Sequence, residues 1–498
     1  MSDTEQRHRT VHLEQQMSDA EALMWNVEKD PWLNPSGAMA TILDQPIDFD
    51  GFRRRLAAAV AETPRLRERV QPGLGRLSPP SWVPDEDFEL DHHVRHIALP
   101  APGTVRQLMD LCTHLYEDPL DRTRPLWVFY VIDGLEDGRG ALFSKLHHTI
   151  ADGKTAIRLS ERYMEFERET ETPDEVDLDR IVREAAAAAA ARAEDDGDEQ
   201  EQGGNGAVDA AGSALGVAGD LLRRQLDLTR KVVGEVAGWG ADVDRPVELG
   251  EKAVGQAKSI FDNLGFGEEE RPGSPLWSER SRHRHLEELS IPLDGAKAAG
   301  NRLGGTINDV FVIGAVAGAI EYHAKRGVVL DELNVSFVIS TRTRSTKGGN
   351  AFTPTPVRVP ARQVPLPELF ETIRQLIEDK KASISGGSSA SLGSLARVAN
   401  MLPTSVVTRM ARDRAGTLDF ATSNLRGAPR PIYVSGGEVL QNIIMGPVAG
   451  TAFNLTTMSY NGSLDMGLFC DPAAVEDPTG LRDCLADAYA QLLALGAD

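Results

Sequence analysis

Apolar residues recur along the first part of the chain at spacings typical of helices and of strands. Phe52, Leu56 and Val60 are spaced to share one face of a helix. Short apolar runs bounded by Asp-Gly turn residues predict paired strands. The predicted elements are helices over Asp50–Glu62 and Thr104–Tyr116, strands over Trp127–Ile132 and Ala141–Leu146, and a helix over Lys154–Phe166. This alternation predicts an α/β domain.

The same alternation returns after about Ser274. The segment Asn308–Tyr322 is apolar on all sides, which predicts a buried helix. Asn461-Gly462 between two apolar runs predicts a hairpin, because both residues accept positive φ. The other predicted elements are strands over Leu289–Pro292, Val335–Ile339, Thr355–Val359, Ile432–Val434, Asn454–Ser459 and Leu464–Phe469, and helices over Leu366–Ile384 and Thr479–Leu495.

The segment between these blocks differs in composition. It begins with an acidic stretch, continues through an alanine run and reaches a Gly-rich part. Residues Glu194–Val208 have too few apolar side chains to offset the entropy of ordering, so we expect them to be disordered. Amphipathic helices are predicted within Leu215–Phe266, and packing across the two blocks is a better explanation for them than a membrane surface.

A chain of 498 residues is too long for one hydrophobic core. We therefore predict an N-terminal domain over residues 1–166, a linker over residues 167–273 and a C-terminal domain over residues 274–498. The predicted fold class is α/β, in a two-layer α+β arrangement with two similar halves and a helical, partly disordered linker.

Net charge changes this picture little. The chain carries −22, but residues 161–201 contain sixteen acidic and five basic side chains and hold half of it. The rest is mildly acidic, which disfavours nucleic acid as a partner while leaving local basic patches possible. The three cysteines, Cys112, Cys470 and Cys484, are too few for a disulfide framework and favour a reducing cytoplasm.

Several kinds of site and segment are not predicted. No CxxC or HExxH spacing occurs, so we expect no metal. GxSxG, the P-loop and a GxGxxG after a strand are missing too, which disfavours hydrolase, NTPase and dinucleotide-binding functions. No apolar run reaches the ~20 residues of a membrane span. Residues Met1–Arg9 are polar with no apolar core behind them, so we expect no signal peptide.

The segment Leu146–Gly153, with sequence LHHTIADG, carries the strongest chemical signal. His147 and His148 directly follow a predicted strand, and histidine has the unperturbed pKa nearest neutrality, as suits a general base. Asp152 can hold the loop by pairing with a cation, and Gly153 allows a tight turn. A second pair, His92-His93, has no Asp-Gly four residues later, and we expect it to be structural. The pattern HHxxxDG resembles the active-site motif of the CoA-dependent acyltransferase superfamily.

Further motifs follow in the order of one family, the bacterial wax ester synthase/diacylglycerol acyltransferases. These are Pro125-Leu126-Trp127, similar to its PLW element; Phe88–Gly103; Asn308-Asp309, similar to its ND motif; Gly349-Asn350; Thr422–Pro429, similar to its TSNxxGP stretch; Gly446-Pro447; and Asn454–Gly467. The resemblance covers nearly the whole chain except Glu167–Arg271.

The resemblance implies two chloramphenicol-acetyltransferase-like halves that form a pseudo-dimer, with the histidine loop between them. It also implies acyl transfer from acyl-CoA to a lipid hydroxyl, with diacylglycerol or a fatty alcohol as acceptor and no cofactor besides the co-substrate. His148 is implied as the base and His147 as its support. Because the acceptor is insoluble, we also expect peripheral attachment to the inner membrane face or to lipid droplets.

Other residues receive supporting roles. Asp152 is expected to pair with an arginine, with Arg342 as the first candidate. Asn308 and Asn424 orient substrate or stabilise the oxyanion, unless they only cap a helix and a loop. Thr306 is expected to cap the helix that places Asp309 in its first turn.

The sequence departs from the family at Val128, Lys154, Arg426 and Ala428, which affects the expected acceptor more than the chemistry. Three alternatives stay open. The first is a condensation-type enzyme acting on carrier-bound thioesters. The second is an acyltransferase for a polyketide or glycolipid alcohol, and the third is a lipid-binding homologue without catalysis.

If Asp152 holds the loop through a buried ion pair, Asp152→Asn lowers both stability and rate. Loss of one partner of such a pair costs about 3–5 kcal/mol. Thermal unfolding and initial rates of ester formation measure the two effects. An unchanged melting temperature would contradict the ion pair.

Overall fold

The computed structural model describes residues 15–73, 79–151, 153–201, 273–340, 352–385, 396, 399–400, 404–447 and 450–497. The strands are β1 (Ser36–Leu43), β2 (Glu68–Gln71), β3 (Ser81–Pro84), β4 (Val94–Ala98), β5 (Trp127–Asp133), β6 (Gly140–His147), β7 (His285–Pro292), β8 (Glu332–Ser340), β9 (Phe352–Pro360), β10 (Phe420–Arg426), β11 (Tyr433–Val434), β12 (Gly437–Met445), β13 (Phe453–Tyr460) and β14 (Ser463–Cys470). The helices are α1 (Asp19–Val27), α2 (Phe49–Glu62), α3 (Leu90–His93), α4 (Val105–Glu117), α5 (Gly153–Ser160), α6 (Leu178–Glu201), α7 (Leu293–Arg302), α8 (Ile307–Ala324), α9 (Leu366–Ser385), α10 (Thr404–Ala415) and α11 (Pro478–Ala497).

Sheet 1 has the strand order β11-β12-β1-β6-β5-β4. The predicted pair β5–β6 is antiparallel, and β6 also pairs antiparallel with β1. Side chains alternate between the two sheet faces, so Trp127 and Leu142 enter one core cluster while Phe143 enters another. These two clusters bury both faces of the strand that leads into the histidine loop.

Sheet 2 has the strand order β7-β14-β13-β10-β8-β9. Its main covering helix is α8, in which 14 of 18 residues are buried, as its apolar sequence predicts. Gly314 and Gly318 let α11 approach, because a Cβ at either position would meet Tyr489 or Leu485. The predicted hairpin between β13 and β14 is confirmed, with positive φ at both Asn461 and Gly462.

Strand β12 joins the two sheets. It belongs to the third sequence block, yet it pairs antiparallel with β1 of sheet 1. It also packs against β14 of sheet 2 so closely that a Cβ at Gly467 would collide with the Ile444 carbonyl oxygen. The Asn442 N–H of β12 donates to the buried Asp465 carboxylate of β14 at 3.0 Å. Burial raises the pKa of Asp465.

Two sequence predictions need correction. The helix predicted over Lys154–Phe166 ends at Ser160, because the chain turns there and Glu165 instead forms a β-bridge with Tyr433. Residues 194–201, predicted to be disordered, continue α6, since helix propensity in the preceding alanine run is high. The remainder of the disorder prediction and the helices predicted within Leu215–Phe266 lie outside the described residues.

In the described part of the chain, no single helix is long and apolar enough to span a bilayer. Helices α7 and α8 together meet the length and composition test, but a bend of 92° separates them.

The second histidine pair contributes to the core of sheet 1. His93 is buried and stacks on Trp127, with ring centroids 4.4 Å apart, and on Phe88. Its Nδ1–H donates to the Trp127 carbonyl oxygen at 2.7 Å. Burial lowers the pKa of His93 to about 4, so the folded protein holds this ring uncharged at neutral pH.

We expect His93 to make stability depend on pH. Its pKa is about 4 in the folded protein against an ordinary 6.5, so the unfolded chain gains a proton first as the pH falls. Between pH 6.5 and pH 4, wild type should therefore lose on the order of 2–3 kcal/mol more unfolding free energy than His93→Gln. Denaturant titrations of both proteins across this range measure the difference. Parallel curves would contradict a buried, uncharged His93.

The contact between β12 and β14 predicts that Gly467→Ala is destabilising by about 1–3 kcal/mol, because a backbone atom cannot move as a side chain can. Gly416→Ala is the matched control, since the nearest atom to a Cβ there lies 3.4 Å away. Melting temperatures of the two variants are compared with wild type. Equal values for both variants would contradict the close approach.

Candidate active site

The histidine loop begins where β6 ends. His147 is the last residue of β6, and a turn follows in which the Ile150 N–H donates to the His147 carbonyl oxygen at 2.9 Å. The His148 N–H donates to the Pro35 carbonyl oxygen just before β1. Helix α5 then starts at Gly153. Backbone contacts on both sides therefore define the position of the loop.

His147 is fully buried and turned into the protein. Its Nδ1 accepts hydrogen bonds from the Thr149 N–H at 3.1 Å and from the Thr149 hydroxyl at 2.7 Å. The ring hydrogen therefore lies on Nε2, which is 3.3 Å from Oε2 of Glu28. This ring supports the loop and is not accessible to a substrate.

Charged side chains lie on the inner side of His147, where Glu28 is its neighbour and Arg122 and Lys145 act on Glu28. Glu28 and Arg122 form an ion pair of 3.2 Å. Burial alone would raise the pKa of Glu28, but the contact with His147 and the charges of Arg122 and Lys145 outweigh it and lower that pKa. Burial lowers the pKa of Lys145 to about 8, although Glu28 opposes this effect. The carboxylate is therefore charged at neutral pH.

Lys145 also connects β6 to the end of α4. Its Nζ donates to the carbonyl oxygens of Leu115, Tyr116 and Asp118, with the Tyr116 contact at 2.7 Å. A lysine at a helix C-terminus satisfies carbonyls that have no partner within the helix. This contact secures the strand that carries the histidines.

His148 is partly buried and follows His147 on the loop. Gly37 of β1 lies against its ring, because a Cβ at that position would be 3.7 Å from the His148 Nε2. A side chain at Gly37 would cover part of this nitrogen. No sequence motif indicated Gly37, which belongs to β1, a strand that was not predicted.

The second half of the chain reaches the histidine loop. Helix α5 contacts β10, and a Cβ at Gly153 would lie 2.6 Å from Leu425 Cδ2. On the opposite face of β10, the Asn424 Nδ2–H donates to Asn308 Oδ1 at 3.2 Å. The glycine of the motif thus allows the two halves to approach, and the two asparagines form a pair.

Asp309 closes the first turn of α8. Its Oδ2 accepts from the Thr306 N–H and from the Thr306 hydroxyl, both at 2.8 Å, while its own N–H donates back to Thr306. Thr306 is therefore the N-cap, as expected from the sequence, and its reciprocal contacts with Asp309 form a capping box. The cap holds the neighbouring Asn308 at the helix start.

The PLW element lines a cavity and contributes no reactive side chain. Trp127 is buried, and its Nε1–H donates to the Leu66 carbonyl oxygen at 2.7 Å. Pro125 and Trp127 line a cavity of about 270 Å³ together with Lys145 and His93.

Two predicted residues cannot be placed. Asp152 and Arg342, like Gly349-Asn350, lie outside the described residues, so their pairing stays a prediction. Within the described ranges, no three His, Cys, Asp or Glu side chains are grouped so as to hold a metal ion.

Glu28, Arg122 and Lys145 were missed by sequence reasoning. Glu28 ends a short helix far from the motif in the chain. Lys145 lies two residues before His147 and so on the same strand face, a spacing that could have indicated it.

Family models match most of the chain. The wax ester synthase/diacylglycerol acyltransferase catalytic domain matches residues 17–311, and the C-terminal domain of the same family matches residues 348–493. A Mycobacterium tuberculosis H37Rv protein, provisionally named a diacylglycerol O-acyltransferase, is 27% identical over 97% of this chain and 92% of its own length. A Mycobacterium bovis protein with the same provisional name is 27% identical over 84% of each chain.

Solved structures share the fold. The wax ester synthase/diacylglycerol acyltransferase from Marinobacter aquaeolei VT8 aligns over 97% of this chain and 100% of its own, with 18% identity and a TM-score of 0.61. The first condensation domain of the calcium-dependent antibiotic synthetase aligns over 97% of both chains, with 16% identity and a TM-score of 0.57. The expected two-half fold is confirmed by these neighbours. Since the catalytic-domain model alone spans more than half of its residues, this protein belongs to the wax ester synthase/diacylglycerol acyltransferase family.

Proposed function

We propose that the protein transfers a long-chain acyl group from acyl-CoA to the hydroxyl of diacylglycerol or a fatty alcohol, with His148 as general base. The observation that carries this is the different environment of the two histidines. His147 is buried, with Thr149 bound to Nδ1 and Glu28 beside Nε2, whereas His148 is only partly buried beside Gly37. Relatives named as diacylglycerol O-acyltransferases support the choice of acceptor.

The reaction requires only proton transfers by the protein. His148 removes the proton from the acceptor hydroxyl as its oxygen attacks the thioester carbonyl carbon. The tetrahedral intermediate collapses, the carbon–sulfur bond breaks, and the imidazolium returns the proton to the CoA thiolate. The products are an ester and free CoA, and no cofactor or metal takes part.

The asparagine pair is proposed to act on the substrate oxygen. Because Asn308 Oδ1 accepts from Asn424, the Asn308 side chain is oriented and can present its own Nδ2–H donors. An amide aimed at the developing oxyanion stabilises it, and such a donor contributes about 10²–10³ in rate. Asp152 is proposed to hold the loop through a cation, with Arg342 as candidate.

The test is direct. Purified protein is given labelled palmitoyl-CoA with diacylglycerol in phosphatidylcholine vesicles, with hexadecanol or with water alone, and the products are separated by chromatography. Triacylglycerol or wax ester is expected, whereas free fatty acid alone would refute acyl transfer to a lipid. Sedimentation of the same samples tests the proposed peripheral attachment to a lipid surface. Amides formed only with amine acceptors, or acyl products formed only with carrier-bound acceptors, would favour the condensation-type alternative.

His148→Ala should lower ester formation by about 10²–10⁴ while leaving the fold intact. His147→Ala should also reduce the rate, but together with stability, because a buried ring with three contacts is lost. His114→Ala is the control, since this side chain is 78% exposed. Near-normal turnover by folded His148→Ala would exclude His148 as the base.

A further inference from the structure

Building on the acyl transfer proposed above, we propose that Glu28 is a positioning residue for this reaction. Its buried carboxylate holds the His147 ring in one orientation and thereby holds the turn that presents His148. Glu28 does not contact the reacting atoms in this proposal.

The hydrogen bonds of His147 show which ring nitrogen carries its hydrogen. The Thr149 backbone N–H donates to Nδ1 at 3.1 Å, and a backbone N–H cannot reverse its role. The ring hydrogen must therefore lie on Nε2, and Glu28 Oε2, at 3.3 Å, is its neighbour. Nε2 makes no well-aligned hydrogen bond to any described residue. The nearby negative charge of Glu28 is the group that stabilises the buried N–H at this nitrogen.

His147 is linked to His148 through Thr149. Nδ1 of His147 binds the backbone and the side chain of Thr149, the residue immediately after His148. The same turn is closed by the Ile150 N–H on the His147 carbonyl oxygen. A rotation of the His147 ring would break both contacts with Thr149, and His148 lies between these anchored residues. The orientation of the base thus depends on the orientation of His147.

The buried carboxyl group of Glu28 is negatively charged. Its side chain is only 9% exposed, and Arg122, Lys145 and His147 are the charged or titratable groups that act on it. The contact with His147 and the charges of Arg122 and Lys145 keep the carboxylate ionised in spite of burial. An ionised acceptor makes a stronger contact with an N–H than a neutral one.

Glu28 is anchored through Arg122, with which it forms an ion pair. The Arg122 guanidinium lies 3.4 Å from the Trp25 ring centroid and donates to the Trp25 carbonyl oxygen at 2.8 Å. Arg122 is thereby held against the helix that Glu28 caps, which gives Glu28 a defined position.

The experiment compares Glu28→Ala and Glu28→Gln with Asp30→Asn as the matched control. Asp30 lies on the same segment and pairs with Arg412, with no contact to His147. We expect kcat to fall about 10–100-fold in Glu28→Ala with KM changed less than about threefold. Glu28→Gln keeps an acceptor oxygen and should lose less.

The pH profile separates positioning from a merely structural role. Removing a buried negative charge favours the uncharged base, so the acidic limb of kcat/KM should move to lower pH in both Glu28 variants. Asp30→Asn should lower the melting temperature and leave kcat and this limb unchanged. A wild-type kcat and limb in Glu28→Ala, or the same shift in Asp30→Asn, would overturn the proposal.

Nitrogen-15 NMR of the histidine rings gives a readout that does not need turnover. Wild-type His147 should show a hydrogen on Nε2 and none on Nδ1. In Glu28→Ala the ring can turn away from Thr149, so a mixture of the two forms is expected, and a retained single form would overturn the proposal. A wild-type hydrogen on Nδ1 would overturn the proposal. If wild type forms no ester at all, the proposed function fails, and the ring signals alone decide whether Glu28 holds His147.

Discussion

The close crossing of β12 over β14 is the contact on which the site geometry depends. Gly467 has no side chain there because the Ile444 carbonyl oxygen occupies the space of a Cβ. The crossing holds β12 beside β1, and β1 in turn pairs with β6, which ends at His147. A strand from the third sequence block therefore becomes part of the sheet that carries the histidine loop. The two halves cannot separate without exposing this junction.

The end of β6 shows how one strand separates two similar side chains. His147 points to the face that contains Lys145 and the end of α4, and its Nε2 lies beside the Glu28 carboxylate inside a buried region. His148 leaves the strand beside Gly37 and remains partly accessible. Buried charges are costly unless paired, and the cluster meets this condition because Glu28 pairs with Arg122. In the proposed reaction, structural support and proton transfer belong to adjacent residues.

The motif also combines residues that serve different physical needs. Gly153 is required for space, since Leu425 of the second half lies against it. Asn308 and Asn424 come from distant parts of the chain and meet only through the packing of α8 against β10. The proposed site is therefore a product of both halves, although its recognisable motif belongs to the first.

The sequence alone determined the type and order of the strongly periodic elements, the buried helix α8 with its capping box, the Asn-Gly hairpin and the family, because these depend on local patterns and on motifs in one order. It did not reveal β12 as a strand of sheet 1, nor the contact of Glu28 with His147. Glu28 and His147 are 119 residues apart, so no local sequence spacing connects them. The sheet edge at which β12 pairs depends on which surfaces are left to be buried when the two halves pack. Only the tertiary structure decided which histidine is buried. Side chains alternate along β6, but their burial depends on the elements that cover each face of the sheet.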